Sequence, residues 1–263
     1  MGSASGEAID GGERHLDRRR PGVGSIIAPH RLIDMGVIYL VRHGQADAGA
    51  YGIVDADAAA APHGPGGLTS LGVMQATLTG TMLAGQVEKV TAAISGDLPR
   101  QSQTLATILD QFDTAPEPIV DAGWNEYALP PSVGVATADE YRDGRAYQQK
   151  LDAGLTAWIT AESADPGGEA FGCFRDRVVA ASQRARELAG SGQTVVVVSS
   201  AGTITQWISQ LWDVPPARWP VLARTMINAS VTKVLIGRGG ATVVSVNEHA
   251  HLSDREGGVA TFR

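Results

Sequence analysis

A chain of 263 residues with 43% hydrophobic and 19% charged residues has the make-up of a folded globular protein, which excludes fibrous and wholly disordered classes. The formal charge of −7 belongs to residues 35–263, because residues 1–34 hold five Arg against five Asp plus Glu; this acidic balance argues against nucleic acid or an anionic membrane as partner. A single cysteine, Cys173, excludes an intramolecular disulfide and a cysteine-based zinc site, and is expected as small core filler.

Residues 1–34 are rich in Gly, Arg and Asp and lack apolar periodicity. They read as a flexible extension, with Arg18-Arg19-Arg20 solvated, ahead of a domain over 35–263. No apolar core of roughly 7–15 residues marks a secretory signal, and nothing approaches the roughly 20 apolar residues of a membrane span. A cytoplasmic location is therefore the default expectation.

The first strand is predicted over 37–41 and stops abruptly at Arg42, His43 and Gly44. Residues 45–67 form a long loop rich in Ala, Gly and Asp, in which His63 is read as a loop residue. Further strands are predicted over 91–95, 118–121, 194–199, 230–236 and 242–247, all short and rich in Val, Ile and Thr. Between them, apolar residues recur at helical spacing at Leu105, Ile108, Leu109 and Phe112, at Phe174, Val178, Ala181, Ala185 and Leu188, and at Ile204, Trp207, Ile208 and Leu211. Residues 122–168 interrupt the alternation with Pro130-Pro131 and then a helix over 137–161, whose Tyr141, Tyr147 and Trp158 are expected to form its own small core. Long loops inside compact domains tend to be binding segments, so 45–67 and 122–168 are expected to overhang one sheet edge as a substrate cap. Trp207, Trp212 and Trp219 are read as core of the last helices rather than a dimer surface. His249 and His251, two apart, would share one face of a strand, but no third metal ligand can be nominated.

Strands alternating with helices imply an α/β fold: a three-layer α/β/α arrangement with a mostly parallel sheet of about six strands and a helical cap insertion near 122–168. In such sheets ligands bind at the carboxyl ends of strands. An imidazole and a guanidinium side by side at that place are suited to phosphate, the guanidinium holding it by paired hydrogen bonds and the neutral imidazole attacking it.

The run Ile38-Tyr39-Leu40-Val41-Arg42-His43-Gly44 resembles the Arg-His-Gly signature of the histidine phosphatase (phosphoglycerate-mutase-like) superfamily. Other segments agree in chain order. Leu68 to Ala76 resembles the family's Leu-Thr-x-x-Gly-x-x-Gln-Ala helix opening, and Ser95 to Thr104 is similar to its Ser-x-Leu-x-Arg-x-x-Gln-Thr segment, apart from one residue pair. Glu126 falls where the family's acidic residue follows the third strand, and Asn228 to Thr232 and Asn247 to Leu252 match its late strands. The resemblance spans residues 36–252. It departs at one place: where the family usually carries Ser-His-Gly-Gly, this chain reads Ser199-Ser200-Ala201-Gly202.

The resemblance implies a phosphomonoesterase that needs no cofactor or metal, with a phosphorylated small molecule as partner and a homodimer as its oligomeric form. Arg42 and Arg100 would clamp the phosphate, joined by Ser200 and Gly44. His43 would become a phosphohistidine, its tautomer fixed by a carbonyl near Gly44. Glu126 would protonate the leaving alkoxide and later deprotonate water, a role that requires the carboxylic acid form at working pH. Ser200, a shorter and neutral donor, would slow the reaction or leave a degenerate member that only binds phospho-ligands. Mutase activity is disfavoured, because Glu126 is followed by Tyr127-Ala128-Leu129-Pro130 without the Arg and Tyr-Gly of the mutase branch. A small or moderately apolar ester is the expected substrate. A rival reading makes Ser200, Asp213 and His249 a hydrolase triad in Ser-Asp-His chain order, although Val198 is bulky for the position two before such a nucleophile.

Overall fold

Short strands of unbroken Val, Ile and Leu have apolar side chains on both faces, so they are stable only where helices cover both. The structure, a computed structural model, describes residues 1–2, 35–47, 50, 66–128, 143–161, 168–253 and 258–262. The chain divides into the units Met1–His30 and Arg31–Arg263; of the first, only Met1 and Gly2 are among the described residues.

In the second unit the elements run β1 (Gly36–Arg42), α1 (Ser70–Ala84), β2 (Ala92–Ser95), α2 (Pro99–Leu109), β3 (Pro118–Val120), α3 (Gly144–Thr160), α4 (Phe171–Leu188), β4 (Thr194–Ser199), α5 (Ala201–Leu211), α6 (Trp219–Ala223), β5 (Val231–Gly237) and β6 (Gly240–Glu248). The six strands form one sheet in the order β3-β2-β4-β1-β5-β6. β3, β2, β4 and β1 run parallel, β5 is antiparallel to β1, and β6 returns antiparallel to β5. All six predicted strands are present, within two residues at either end.

Side-chain alternation along the central strands divides the core in two. Ile38, Leu40, Val195 and Val197 pack against α4 and α5, through Phe174, Val178, Ile204 and Trp207 among others. Tyr39, Val41, Val196 and Val198 face α1 and α2, through Leu83, Leu105 and Ile108. That produces the expected three layers.

The insertion differs from expectation. Its helix begins at Gly144, where the Asp143 carboxylate accepts from the backbone N–H groups of Arg145 and Ala146 at 3.1 and 3.2 Å. Residues 137–142, with Tyr141, and the side chain of Tyr147 lie outside the described residues, as does His63. Trp158 does not belong to a separate small core. It joins the main one, its ring 5.6 Å from Phe174 and 6.1 Å from Trp219, with its indole N–H donating to the Glu169 carbonyl at 2.5 Å. Cys173 is not core filler either: it is exposed on α4, one position off the buried stripe of Phe174 and Val178. Of the three late tryptophans, Trp207 and Trp219 are buried as expected, whereas Trp212 is exposed at the end of α5.

Trp219 is wholly buried among Tyr127, Trp158, Phe171 and Phe174, and its indole N–H donates to the Gly202 carbonyl at 3.0 Å. It ties the cap helix to the start of α5. Trp219→Ala is expected to cost about 3–5 kcal/mol, read as a lower urea midpoint at unchanged slope.

Candidate functional site

The parallel register of β1 with β4 pairs Arg42 with Ser199, so both strands end together and His43 stands beside Ser200 at the carboxyl edge. The backbone of His43 is fixed on both sides. Its N–H donates to the Ser199 carbonyl at 2.9 Å, and its carbonyl accepts from the Ala229 N–H and the Asn228 side-chain amide, each at 3.2 Å. Gly44 then turns the chain against the start of α1, where a Cβ would lie 2.4 Å from the Gly72 carbonyl oxygen. Only glycine permits that approach.

Arg42, His43 and Arg100 are all buried and line one cavity. The Nδ1–H of His43 donates to the Gly44 carbonyl at 2.7 Å, the anchor expected from sequence, which leaves the Nε2 lone pair facing Arg100. The Arg100 Nε–H donates to that nitrogen at 3.3 Å. Arg42 is anchored from behind, its Nη1 donating to the carbonyls of Met226 and Phe262. The His43 ring is held well below its ordinary pKa of 6.5, first by burial, then by the positive charges of Arg100 and Arg42, against a smaller opposing effect of the Gly44 hydrogen bond. A neutral imidazole with one nitrogen tethered and the other presented to a cavity is the form a nucleophile needs.

Glu126 lines the same cavity. Its Oε1 accepts from the Tyr127 N–H and its Oε2 from the Gly202 N–H, both at 3.1 Å. The second bond caps α5, whose own N-cap residue, Ser200, makes no side-chain capping bond. A Cβ on Gly202 would lie 2.4 Å from Glu126 Oε1, so glycine at that position admits the carboxylate.

One residue behind this arrangement has no signal in the sequence. Arg177 on α4 donates to the carbonyls of Gly123, Asn125 and Glu126 at 3.1, 2.8 and 3.1 Å, pairs with Glu169 through two bonds of 2.7 and 3.0 Å, and lies 4.9 Å over the Phe174 ring. It holds the segment that presents Glu126.

Two residues expected to contact phosphate are hydrogen-bonded within the protein. The Gly44 N–H is committed to Thr104 Oγ1 at 3.0 Å, so Gly44 positions the loop rather than facing a ligand. Ser200 is wholly buried, is not among the residues lining the cavity, and its Oγ accepts from the Gln101 side-chain amide at 2.9 Å. The same facts remove the hydrolase triad. Ser200 has an ordinary extended φ of −114°, not a strained elbow, while Asp213 and His249 line two other hollows. His249 and His251 do not share a strand face, because β6 ends at Glu248; His249 Nδ1 meets the Asn247 carbonyl at 2.6 Å, and His251 Nε2 meets Thr79 Oγ1 at 2.9 Å. Among the described residues, no group of three or more His, Cys, Asp or Glu is placed to hold a metal ion, and no helix is long and apolar enough to cross a membrane.

The cavity over these groups has a volume of about 500 Å³. Arg42, His43, Arg100 and Glu126 are among its polar groups, with Asn125, Gln148 and Arg224, and α3 and α6 supply walls. The sequence pattern of the histidine phosphatase superfamily (branch 1) matches residues 38–249. The chain belongs to that superfamily. No curated protein matches the chain. Solved structures of similar fold include an alpha-ribazole phosphatase from Shigella flexneri, at 21% identity and a TM-score of 0.59, covering 81% of this chain and 96% of that one. A phosphoserine phosphatase from Entamoeba histolytica has 19% identity and a TM-score of 0.59, with 82% and 99% covered. A mycobacterial glucosyl-3-phosphoglycerate phosphatase has 23% identity and a TM-score of 0.57, with 82% and 100% covered.

In this histidine phosphatase superfamily member, the depressed pKa of His43 links folding to pH. Below pH 6.5 the unfolded chain protonates this histidine while the folded one does not, so stability falls as pH is lowered. The slope from this group is about 1.4 kcal/mol per pH unit until the folded pKa is reached. His251, also lowered chiefly by burial, acts with the same sign and is present in either protein. The difference between wild type and His43→Gln in urea titrations from pH 7 downward is therefore expected to show this slope. Arg177→Met is expected to lower stability by about 2–3 kcal/mol and to make the backbone amides of 123–127 exchange faster by hydrogen–deuterium exchange.

Proposed function

We propose that the protein hydrolyses phosphate monoesters through a phosphohistidine on His43. The observation that carries this reading is the neutral His43 ring, tethered at Nδ1 by Gly44 and presented at Nε2 to a cavity it shares with Arg42, Arg100 and Glu126. A phosphoryl group entering there draws the Arg100 guanidinium from His43 to its own oxygens, because a charge-assisted bond to phosphate is stronger than one to a neutral imidazole. Arg42 supplies the second cation. The Nε2 lone pair then attacks phosphorus as the ester P–O bond breaks, and the carboxylic acid of Glu126 gives its proton to the departing alkoxide. In the second half, water gives a proton to the Glu126 carboxylate and attacks phosphorus; the P–N bond breaks and free phosphate leaves. The charge for both halves comes from the two guanidinium groups, so no metal is assigned a step.

Ser200 makes the enzyme slow or specialised, since the family usually places a second histidine there, and the serine hydroxyl is engaged by Gln101. Loss of one pre-aligned donor costs about a hundredfold or more in rate. That burial of Ser200 also favours a second reading, a member that binds phosphorylated ligands with little turnover.

The test is phosphate release from a panel of phosphomonoesters between pH 4 and 8. Wild type is expected to turn over, with kcat falling at least about a thousandfold in His43→Ala. Rapid quenching into alkali followed by mass spectrometry is expected to find the phosphoryl group on His43. Activity that survives in His43→Ala refutes the mechanism, and binding of phosphonates without turnover in wild type selects the second reading.

A further inference from the structure

The polar groups of the cavity explain a phosphate; its walls concern the rest of the substrate. α3 presents Gln148, Leu151 and Leu155, at spacings of three and four that fall on one helix face. Opposite, Pro220 and Ala223 of α6 and Arg224 just after it line the same space. Leu98, Tyr127 and Ala128 continue the lining with apolar surface, beside the amide of Asn125. Away from the phosphate end, Arg224 is the one charged side chain among the described lining residues.

Arg224 does not act as an unmatched cation. Its Nη1 donates to Asp152 Oδ2 at 3.1 Å, and the other Asp152 oxygen accepts from the Gln148 amide at 2.6 Å. The pair joins the two helices, with Arg224 43% and Asp152 35% exposed, so it lies at the solvent side of the slot. An ester whose alcohol bears a second anionic group meets a cation already neutralised. To reach Arg224 it must come beside the Asp152 carboxylate already paired there, whose repulsion offsets the attraction of the guanidinium. The neutralised pair offers no net attraction. An uncharged alcohol body gains by covering the part-exposed Leu98, Tyr127, Ala128 and Ala223, which line the cavity with the buried Leu151, Leu155 and Pro220, in proportion to the apolar area removed from water.

Resting on the phosphatase reading, we propose that the substrate is the phosphate monoester of an uncharged, largely apolar alcohol held between α3 and α6, and that the Asp152–Arg224 pair is the specificity determinant that turns away a second anionic group.

Binding of non-hydrolysable analogues to the intact protein tests this independently of turnover. Calorimetry with benzylphosphonate and 4-carboxybenzylphosphonate compares two ligands that differ by one carboxylate. Wild type is expected to bind benzylphosphonate at least as tightly as its carboxylated form. Asp152→Asn, at the surface, leaves Arg224 as a cation without its carboxylate and is expected to shift the affinity ratio about fivefold toward the carboxylated ligand. Arg224→Gln is expected to produce no such shift, which separates a charge effect from a loosened helix. Tighter binding of the carboxylated ligand by wild type overturns the proposal, as does an unchanged ratio in Asp152→Asn or the same shift in Arg224→Gln. Selective binding without phosphate release in the ester panel leaves this selectivity standing and removes only the hydrolytic reading; binding of neither phosphonate overturns the selectivity, while the hydrolytic reading stands or falls with the ester panel.

Discussion

Burying Arg42 and Arg100 beside one imidazole is the constraint on which the rest of the site depends. The ring stays neutral first because it is itself buried, and then because the two guanidinium groups raise the local potential. The interior around them must then supply acceptors in fixed places. Met226 and Phe262 offer carbonyls to Arg42, Gly44 offers one to His43, and Thr104 bridges Arg100 to the loop by accepting from the Gly44 N–H while donating to the Arg100 carbonyl at 2.7 Å. Because each acceptor is backbone or a short hydroxyl, the geometry is set by the fold and not by mobile side chains. A site organised in this way is preorganised for an anion before one arrives.

The carboxylate has a separate support. Glu126 follows the 3₁₀ turn Ala122–Trp124, whose Asp121 cap is itself paired with Arg184 at 2.8 Å. Arg177 gathers three carbonyls of the same segment, and the first turn of α5 receives the Glu126 side chain. The helix that would ordinarily be capped by its own N-cap residue is capped by the Glu126 carboxylate. Positions 126 and 202 are therefore coupled: the glycine makes room for the carboxylate, and the carboxylate satisfies the glycine N–H.

What could be read in advance followed from local chemistry. The strands were legible because β-branched runs bounded by turns carry their own signature, and Arg42-His43-Gly44 because polar residues closing an apolar strand are unusual. Trp158, Cys173 and Ser200 were not, since each depends on which way a helix or strand end faces once packed. Trp158 found the main core because α3 lies against α4; Cys173 fell one position off the buried stripe; Ser200 turned inward to Gln101. Arg177 and Asp152 were invisible for another reason. A charged residue on a helix is ordinary in sequence, and only the loop brought beneath it gives it a task.

The strand order has a consequence for synthesis. β1 pairs with β4 on one side and β5 on the other, so Val37 waits for Thr194, 157 residues later, before its first neighbour exists. At about 5–20 residues per second, the run from Val37 to Val41 spends roughly 8–30 s on the ribosome as an apolar strand with both edges open. β2 cannot relieve it, because it too pairs with β4. The central strand that ends at Arg42 and His43 is thus the first of the six to emerge and gains its two neighbours only with β4 and then β5, and β4 is the segment whose arrival joins the two halves of the sheet.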